Sequence, residues 1–270
     1  MQETGAVYVI GDVHGQYRKL LGLLRDAELI DGNQTWAGGP ATLWFTGDFF
    51  DRGPDGVGVL ELVMRLQAQA TEAGGHVGAL LGNHEVLILA AQHFGTPLTG
   101  LGAVFMLEWQ RNGGQTQDLA RLTPRHVDWI TNLPAMALVA GRLLIHADAL
   151  LYMDYGASID EVNAAFRAIL AGRDMDTYDR FLGEFSARRA FVDTQRTGAA
   201  TALAFLQRFG GSQLIHGHTP ISAMTRQPPT EVDAPFVYAG GRCVNVDAGL
   251  YLGSPGFVYR LPLLDRITEA

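Results

Sequence analysis

Short apolar runs alternate with longer amphipathic stretches through the first third of the chain. Residues 6–10, 42–45 and 76–81 are apolar segments of strand length, ending in Gly11-Asp12, Gly47-Asp48 and Gly82-Asn83. Between them, residues 16–27 place Leu20, Leu21, Leu23 and Leu24 at helical spacing. Residues 57–73 put Val59, Leu62, Val63 and Leu66 on one helical face. The order strand, helix, strand, helix, strand, with helices long enough to be crossovers, predicts a parallel sheet with helices packed on it.

The middle of the chain switches to helical periodicity. Helices are predicted at 85–93, 103–111 and 125–132, the last entered through Thr123 as N-cap and Pro124 at the first helical position. Residues 136–140 and 143–147 read as two strands joined tightly at Gly141-Arg142, with Arg142 solvated in the turn. Further helices are predicted at 158–171, 177–185 and 198–209. Strands return at 213–216, 244–246 and 257–261, and the Pro-rich stretch 227–235 is a loop. The expectation is one α/β domain over residues 1–270, with helical insertions at about 94–132 and 151–209.

Composition narrows the function classes. The chain has 270 residues, 47% hydrophobic and 18% charged, enough apolar material for a sizeable core and no low-complexity block. A net charge of −8 disfavours nucleic acid as a partner of the whole surface. A small anionic substrate stays admissible, because bound divalent cations reverse the field locally. The single cysteine, Cys243, lies in an apolar run and reads as a buried thiol, which suits a reducing cytoplasm. Residues 1–5 have neither the basic start nor the apolar core of a leader. The most apolar stretch, 133–152, is interrupted by Arg142, His146 and Asp148, so no membrane span is expected.

Five polar clusters sit at the ends of predicted strands: Gly11-Asp12-Val13-His14-Gly15, Gly47-Asp48-Phe49-Phe50-Asp51-Arg52-Gly53, Gly82-Asn83-His84-Glu85, His146-Ala147-Asp148 and His216-Gly217-His218-Thr219-Pro220. In an open α/β sheet, ligands bind beyond the carboxyl ends of the strands, where such tips converge. Carboxylate, imidazole and amide oxygen without thiolate suit manganese, iron or zinc. Asp12 and His14 are two apart and face one side if strand geometry continues. Asp48 is the natural carboxylate for two metals to share. Each cluster alone has an ordinary reading: a turn, a surface ion pair, a helix cap or a core histidine. Five in this order do not.

The clusters resemble the signature of calcineurin-like metallophosphoesterases of the phosphoprotein phosphatase branch: GDVHG, GDxxDRG, GNHE, a lone histidine after a strand, and GHTP. Residues 74–86 and Trp36 to Gly39 resemble the bacterial Shewanella-like phosphatases. The resemblance implies a four-layer α/β/β/α sandwich with two mixed sheets. It implies Asp12 and His14 on one metal, Asp48 bridging, and Asn83, His146 and His218 on the second. It implies His84 as general acid oriented by Asp51, and Arg52 on a phosphate oxygen. A second phosphate arginine would be Arg188 or Arg189, ahead of Arg196. His218, directly before Thr-Pro, takes the ligand role over His216. Two departures stand out: Asp148 lies where the pattern has glycine, and Pro220 replaces a histidine that some related esterases give to the first metal.

The expected activity is hydrolysis of phosphate monoesters, on phosphoprotein or phosphopeptide or a small phosphoester, using two divalent ions with manganese first. Two metals about 3.5–4 Å apart acidify a water and clamp an in-line displacement, and His84 has the pKa range to protonate the leaving group. The alternative is symmetrical hydrolysis of diadenosine tetraphosphate or related dinucleoside polyphosphates. A third reading, an inactive binding module, is disfavoured by the intact Asp48 and His84. No membrane or regulatory subunit is expected.

Overall fold

Each apolar run of the first third forms a strand, and each amphipathic stretch a helix. The computed structural model describes residues 5–95, 100–192 and 197–262. The chain runs β1 (Val7–Ile10), α1 (Tyr17–Asp26), β2 (Thr42–Phe45), α2 (Gly56–Glu72) and β3 (His76–Ala79). Four helices follow: α3 (Asn83–Phe94), α4 (Gly100–Arg111), α5 (Thr116–Arg121) and α6 (Pro124–Thr131). The hairpin β4 (Met136–Val139) and β5 (Arg142–Ile145) leads to α7 (Tyr152–Tyr155), α8 (Ile159–Ala171), α9 (Met175–Phe185) and α10 (Gly198–Phe209). β6 (Gln213–His216), α11 (Ile221–Thr225), β7 (Phe236–Tyr238), β8 (Cys243–Asn245) and β9 (Tyr259–Arg260) complete it.

The strands form two mixed sheets, as expected. The first has order β3-β2-β1-β9, its three opening strands parallel and β9 antiparallel at the edge. The second has order β4-β5-β6-β8-β7, with β5, β6 and β8 parallel between two antiparallel edges.

Side-chain alternation explains why the sheets stack. Val9 of β1, Leu144 of β5, Ile215 of β6 and Val244 of β8 share one buried cluster between the sheets. Their neighbours of opposite parity, Ile10, Leu143, Ile145, Leu214 and Cys243, join the helices in the larger core. Strands buried on both faces need apolar residues at every position, which is why these segments lack a polar alternation. The result is helix, sheet, sheet, helix, and it turns the carboxyl ends of both parallel sets toward one rim.

Helices α5, α7 and α11 and strand β7 escape the sequence reading because long-range contacts fix them. In α5, the buried Asp118 carboxylate accepts the Gly56 and Val57 N–H groups and so caps the distant α2. Arg142 is not solvated: it lies on β5, 1% exposed, and donates to the carbonyls of Ala140 and Pro262. The two carbonyls take up the Nη1 and Nη2 donors, while the buried Nε has no partner among the described residues. His126 is also buried, its ring accepting the Thr123 N–H in the cap of α6. Among the described residues no helix is long and apolar enough to cross a membrane.

Candidate metal centre

Five parallel strands deliver the candidate residues. Asp12 and His14 follow β1; Asp48, Asp51 and Arg52 follow β2; Asn83 and His84 open α3 after β3; His146 follows β5 and His218 follows β6. The chain must turn sharply beyond each strand to aim these side chains inward. His14, Asp48, Asp51, Arg52 and His218 accordingly sit at positive φ (46°, 55°, 68°, 64° and 67°). Such backbone costs about 1–3 kcal/mol per residue and persists only where the surroundings fix it. Glycine is required beside the carboxylates: a Cβ on Gly82 would lie 2.2 Å from Asp48 Oδ1, and one on Gly217 2.1 Å from Asp12 Oδ1.

Asp48 is central. Its Oδ2 lies 3.5 Å from His14 Nε2 and 3.9 Å from His84 Nε2, and its Oδ1 lies 3.3 Å from His146 Nε2. Two groups of ligand atoms share it, His14-Asp48-His84 and Asp48-His146-His218, each within 4.8 Å. Asp12 Oδ2 flanks the first at 4.0 Å from His14 Nε2. The tautomers follow from the outer hydrogen bonds. His14 Nδ1 donates to the Phe50 carbonyl and His146 Nδ1 to the Thr46 carbonyl, both at 2.8 Å. Each neutral ring then presents its Nε2 lone pair to the site. His146 Nε2 faces Asn83 Oδ1 at 3.1 Å, acceptor to acceptor, a convergence that a cation resolves. His218 Nε2 faces the Ser186 carbonyl at 3.4 Å, which leaves Nδ1 as its free lone pair.

The electrostatics agree. Burial foremost holds His14, His146 and His218 below the usual imidazole range, so they stay neutral and able to offer a lone pair to a cation. Burial raises the Asp12 carboxyl well above its ordinary range, and Asp247 and Asp48 add to the rise. Burial would raise Asp48 too, but four imidazoles, His146 foremost, pull it below the usual range. Asp247, beyond β8, is pushed up to about 7 by burial first and Asp48 next. Its Oδ1 accepts the Gly249 N–H, while Oδ2 has no partner among the described residues. Three buried carboxylates at one point are costly unless cations offset them. Oxygen donors and neutral imidazoles arranged in this way fit two divalent ions.

Beside the candidate metal ligands lies a second constellation. His84 Nδ1 donates to Asp51 Oδ2 at 2.6 Å, and Trp109 Nε1 donates to Asp51 Oδ1 at 2.8 Å. Asp51 therefore has both oxygens bound and the imidazole orientation fixed. Arg52 donates from Nη1 to His14 Nε2 (2.7 Å) and from Nη2 to His84 Nε2 (3.0 Å). Its guanidinium lies 4.3 Å over the Tyr251 ring, which also packs edge-on against His14.

Glu85 holds the site from beneath. Its carboxylate accepts the N–H groups of Asp48 (2.8 Å), Phe49 (2.7 Å) and Gly82 (2.8 Å), tying the β2 and β3 turns together. Burial, with Asp48 next, raises it to about 8 against these three donors. Glu85→Gln turns an amide N–H toward at least one backbone donor. It is expected to lower stability by about 1–3 kcal/mol, read as a lower urea midpoint with an unchanged slope.

The six metal candidates and the pair His84-Asp51 thus meet at one place. The two arginines separate. Arg188 acts electrostatically on His218, Asp247 and Tyr251. Arg189 donates to the Ala223 carbonyl and borders a cavity of about 290 Å³ with Phe236 and Tyr238. Arg196 lies outside the described residues. His216 stands away from the cluster, its Nε2 2.8 Å from the Tyr238 hydroxyl. Asp148 does not orient His146, whose ring N–H goes to Thr46. Sequence reasoning gave no role to Glu85, Trp109, Asp247 or Tyr251. Glu85 lay inside the Gly82-Asn83-His84-Glu85 tip, and Asp247, in a Val-Asp-Ala-Gly tip after an apolar run, carried the same strand-end signal; Trp109 and Tyr251 carried none.

The family model described as calcineurin-like phosphoesterase matches residues 5–222. Shewanella-like protein phosphatase 1 of Plasmodium berghei (strain Anka) is 38% identical over 86 residues, 32% of this chain and 24% of that protein. The symmetrical bis(5'-nucleosyl)-tetraphosphatase of Escherichia coli (strain K12 / DH10B) is 41% identical over 85 residues, 32% of this chain and 25% of that protein. The matched segments thus span about a quarter of these relatives. Among solved structures, the cold-active protein-tyrosine phosphatase of a psychrophile Shewanella sp. is similar at 25% identity and TM-score 0.71, over 94% of this chain and 74% of that one. A protein serine/threonine phosphatase from Saccharomyces cerevisiae, 19% identical with TM-score 0.57 over 95% of this chain and 71% of that one, shares the fold.

Proposed function

The chain belongs to the calcineurin-like phosphoesterase family and is a metallophosphoesterase, and on that premise we propose that it hydrolyses phosphate monoesters carried by phosphoprotein or phosphopeptide. The observation that carries the reading is Asp51-His84-Arg52 set directly beside the two ligand groups that share Asp48.

In this reading Asp12, His14 and Asp48 would hold one divalent ion, and Asp48, Asn83, His146 and His218 the other. Such ions supply a Lewis acid for the phosphoryl oxygens and an acidified water for attack on phosphorus. Manganese heads the candidates, with iron or zinc as alternatives. The chain's own residues do the rest. Arg52 turns its fork from the two imidazoles to the phosphoryl oxygens, where the planar donors match. That movement uncovers His84 Nε2, which then carries the proton delivered to the departing alkoxide as the P–O ester bond breaks. Asp51, held by Trp109, fixes the imidazole and stabilises its cationic form. Arg188 supplies a second positive charge at the rim.

The similarity to the Shewanella-like protein phosphatases supports a phosphoprotein substrate, and the tetraphosphatase similarity supports the alternative of dinucleoside polyphosphates. One substrate panel separates them. Protein stripped with a chelator and reloaded with manganese is assayed on phosphopeptides, an aryl phosphate, a phosphodiester and diadenosine tetraphosphate. Metal-dependent turnover with the highest kcat/KM on a phosphopeptide is expected. Higher kcat/KM on diadenosine tetraphosphate would replace the leading reading by the alternative, and activity surviving chelation would remove the metals from it.

A further inference from the structure

We infer that Asp148 is a positioning residue for Arg188: its carboxylate fastens the backbone that follows α9 to the turns bearing His146 and His218, and so keeps the segment that carries Arg188 beside the candidate metal centre. The inference rests on the phosphoesterase reading above and assigns a role to the residue that replaces the expected glycine.

Asp148 is 0% exposed, although it is a charged residue in a turn. Its hydrogen bonds explain the burial. Oδ2 accepts the Arg189 N–H at 2.9 Å, and Oδ1 accepts the Thr219 hydroxyl at 2.6 Å. Its carbonyl accepts the Ala190 N–H at 2.9 Å. One residue therefore joins three separate pieces of chain. The first is the turn after β5, with His146 two residues back. The second is the turn after β6, with His218 adjacent to Thr219. The third is the irregular segment after α9, which carries Arg188 and Arg189.

The third piece needs such an anchor. Arg189 sits at φ +67°, a left-handed conformation that a non-glycine residue keeps only when neighbours enforce it. A buried carboxylate accepting the Arg189 N–H enforces it through a charge-assisted bond. The opposite end of the segment is also tied, because the Ser186 carbonyl faces His218 Nε2 at 3.4 Å. Arg188 lies between the two ties. Arg189 turns away to the Ala223 carbonyl, and Arg188 stands in the chain between it and the Ser186–His218 contact. A glycine at 148 could offer its carbonyl to Ala190 but no acceptor to Arg189 or Thr219, so the segment would lose its central tie.

The alternative is that Asp148 only stiffens the metal-bearing turns, and kinetics distinguish the two. Metal-loaded full-length protein is compared as wild type, Asp148→Asn, Arg188→Ala and the double variant. The readings are kcat and KM on an aryl phosphate, inhibition by inorganic phosphate, and metal content by atomic emission. Asparagine keeps the shape but cannot accept from both Thr219 and Arg189. We expect Asp148→Asn to raise KM and the phosphate inhibition constant about tenfold, with kcat and metal content near wild type. The rise should vanish in the Arg188→Ala background, since the two residues act as one unit. An equal rise in both backgrounds, or loss of metal in Asp148→Asn, would overturn the assignment. Hydrogen exchange at the Arg189 and Ala190 amides of the wild type needs no variant: slow exchange is expected, and exchange at the rate of free peptide would overturn the tie. Absence of metal-dependent turnover in the wild type would instead overturn the phosphoesterase reading and this role with it.

Discussion

His84→Asn is expected to lower kcat on an alkyl phosphate by about 10²–10⁴-fold, the usual contribution of a positioned general acid, while metal content stays at the wild-type level. The geometry sets both halves of this expectation. The imidazole is fixed at Nδ1 by Asp51, and its Nε2 faces the cleft within 3.0 Å of Arg52. The backbone N–H of His84 donates to Asp48 Oδ1 at 3.0 Å, a bond that the substitution keeps, so the shared carboxylate stays in place. Leaving-group dependence is the sharper reading. An aryl phosphate with an acidic phenol needs no proton on departure, so its loss should be much smaller than that of the alkyl ester. Equal losses on both would assign His84 to the metals or to phosphate binding and not to the leaving group.

Asp48→Asn is expected to abolish turnover by removing both ions together. Asp48 belongs to both ligand groups, and no other carboxylate in the described residues does. Asparagine keeps an oxygen for the His84 N–H but removes the negative charge that both cations need. The metal-free variant should melt no lower than the metal-free wild type, because Asp12 and Asp247 lose a buried like charge beside them. Adding manganese should then raise the wild-type midpoint by mass action and leave the variant unmoved. Retention of one equivalent per chain would mean that Asp48 serves a single ion.

These two residues illustrate how far the sequence could be read. Asp48 and His84 were legible because each follows a short apolar run and a glycine, and the local pattern repeats at five strand ends. The strands themselves were legible for the same reason: burial on both faces demands an unbroken apolar run, and crossover helices demand a separate periodicity between them. Helix α10 and strand β6 have the predicted ends for that reason.

Other features had no local signal. Strand β7 pairs only with β8 at the sheet edge, so its sequence need satisfy just one neighbour. Arg142 looks like a hairpin residue until β5 is covered and Pro262 offers its carbonyl. Glu85 reads as an acidic first-turn residue of α3, yet it gathers N–H groups from two loops. Tyr251 has no motif at all and reaches Arg52 and His14 because the loop after β8 folds back over the site.

The sequence by itself determined the α/β class, the strand-end tips and the chemistry of the ligands, because these depend on residue type and on spacing along one segment. Tertiary structure alone decided that Asp48 lies between two groups of imidazoles, that Arg189 is taken up by the Ala223 carbonyl, and that Asp148 ties three loops. Each of those depends on distances between segments far apart in the chain, which no local period encodes and only the stacking of the two sheets sets.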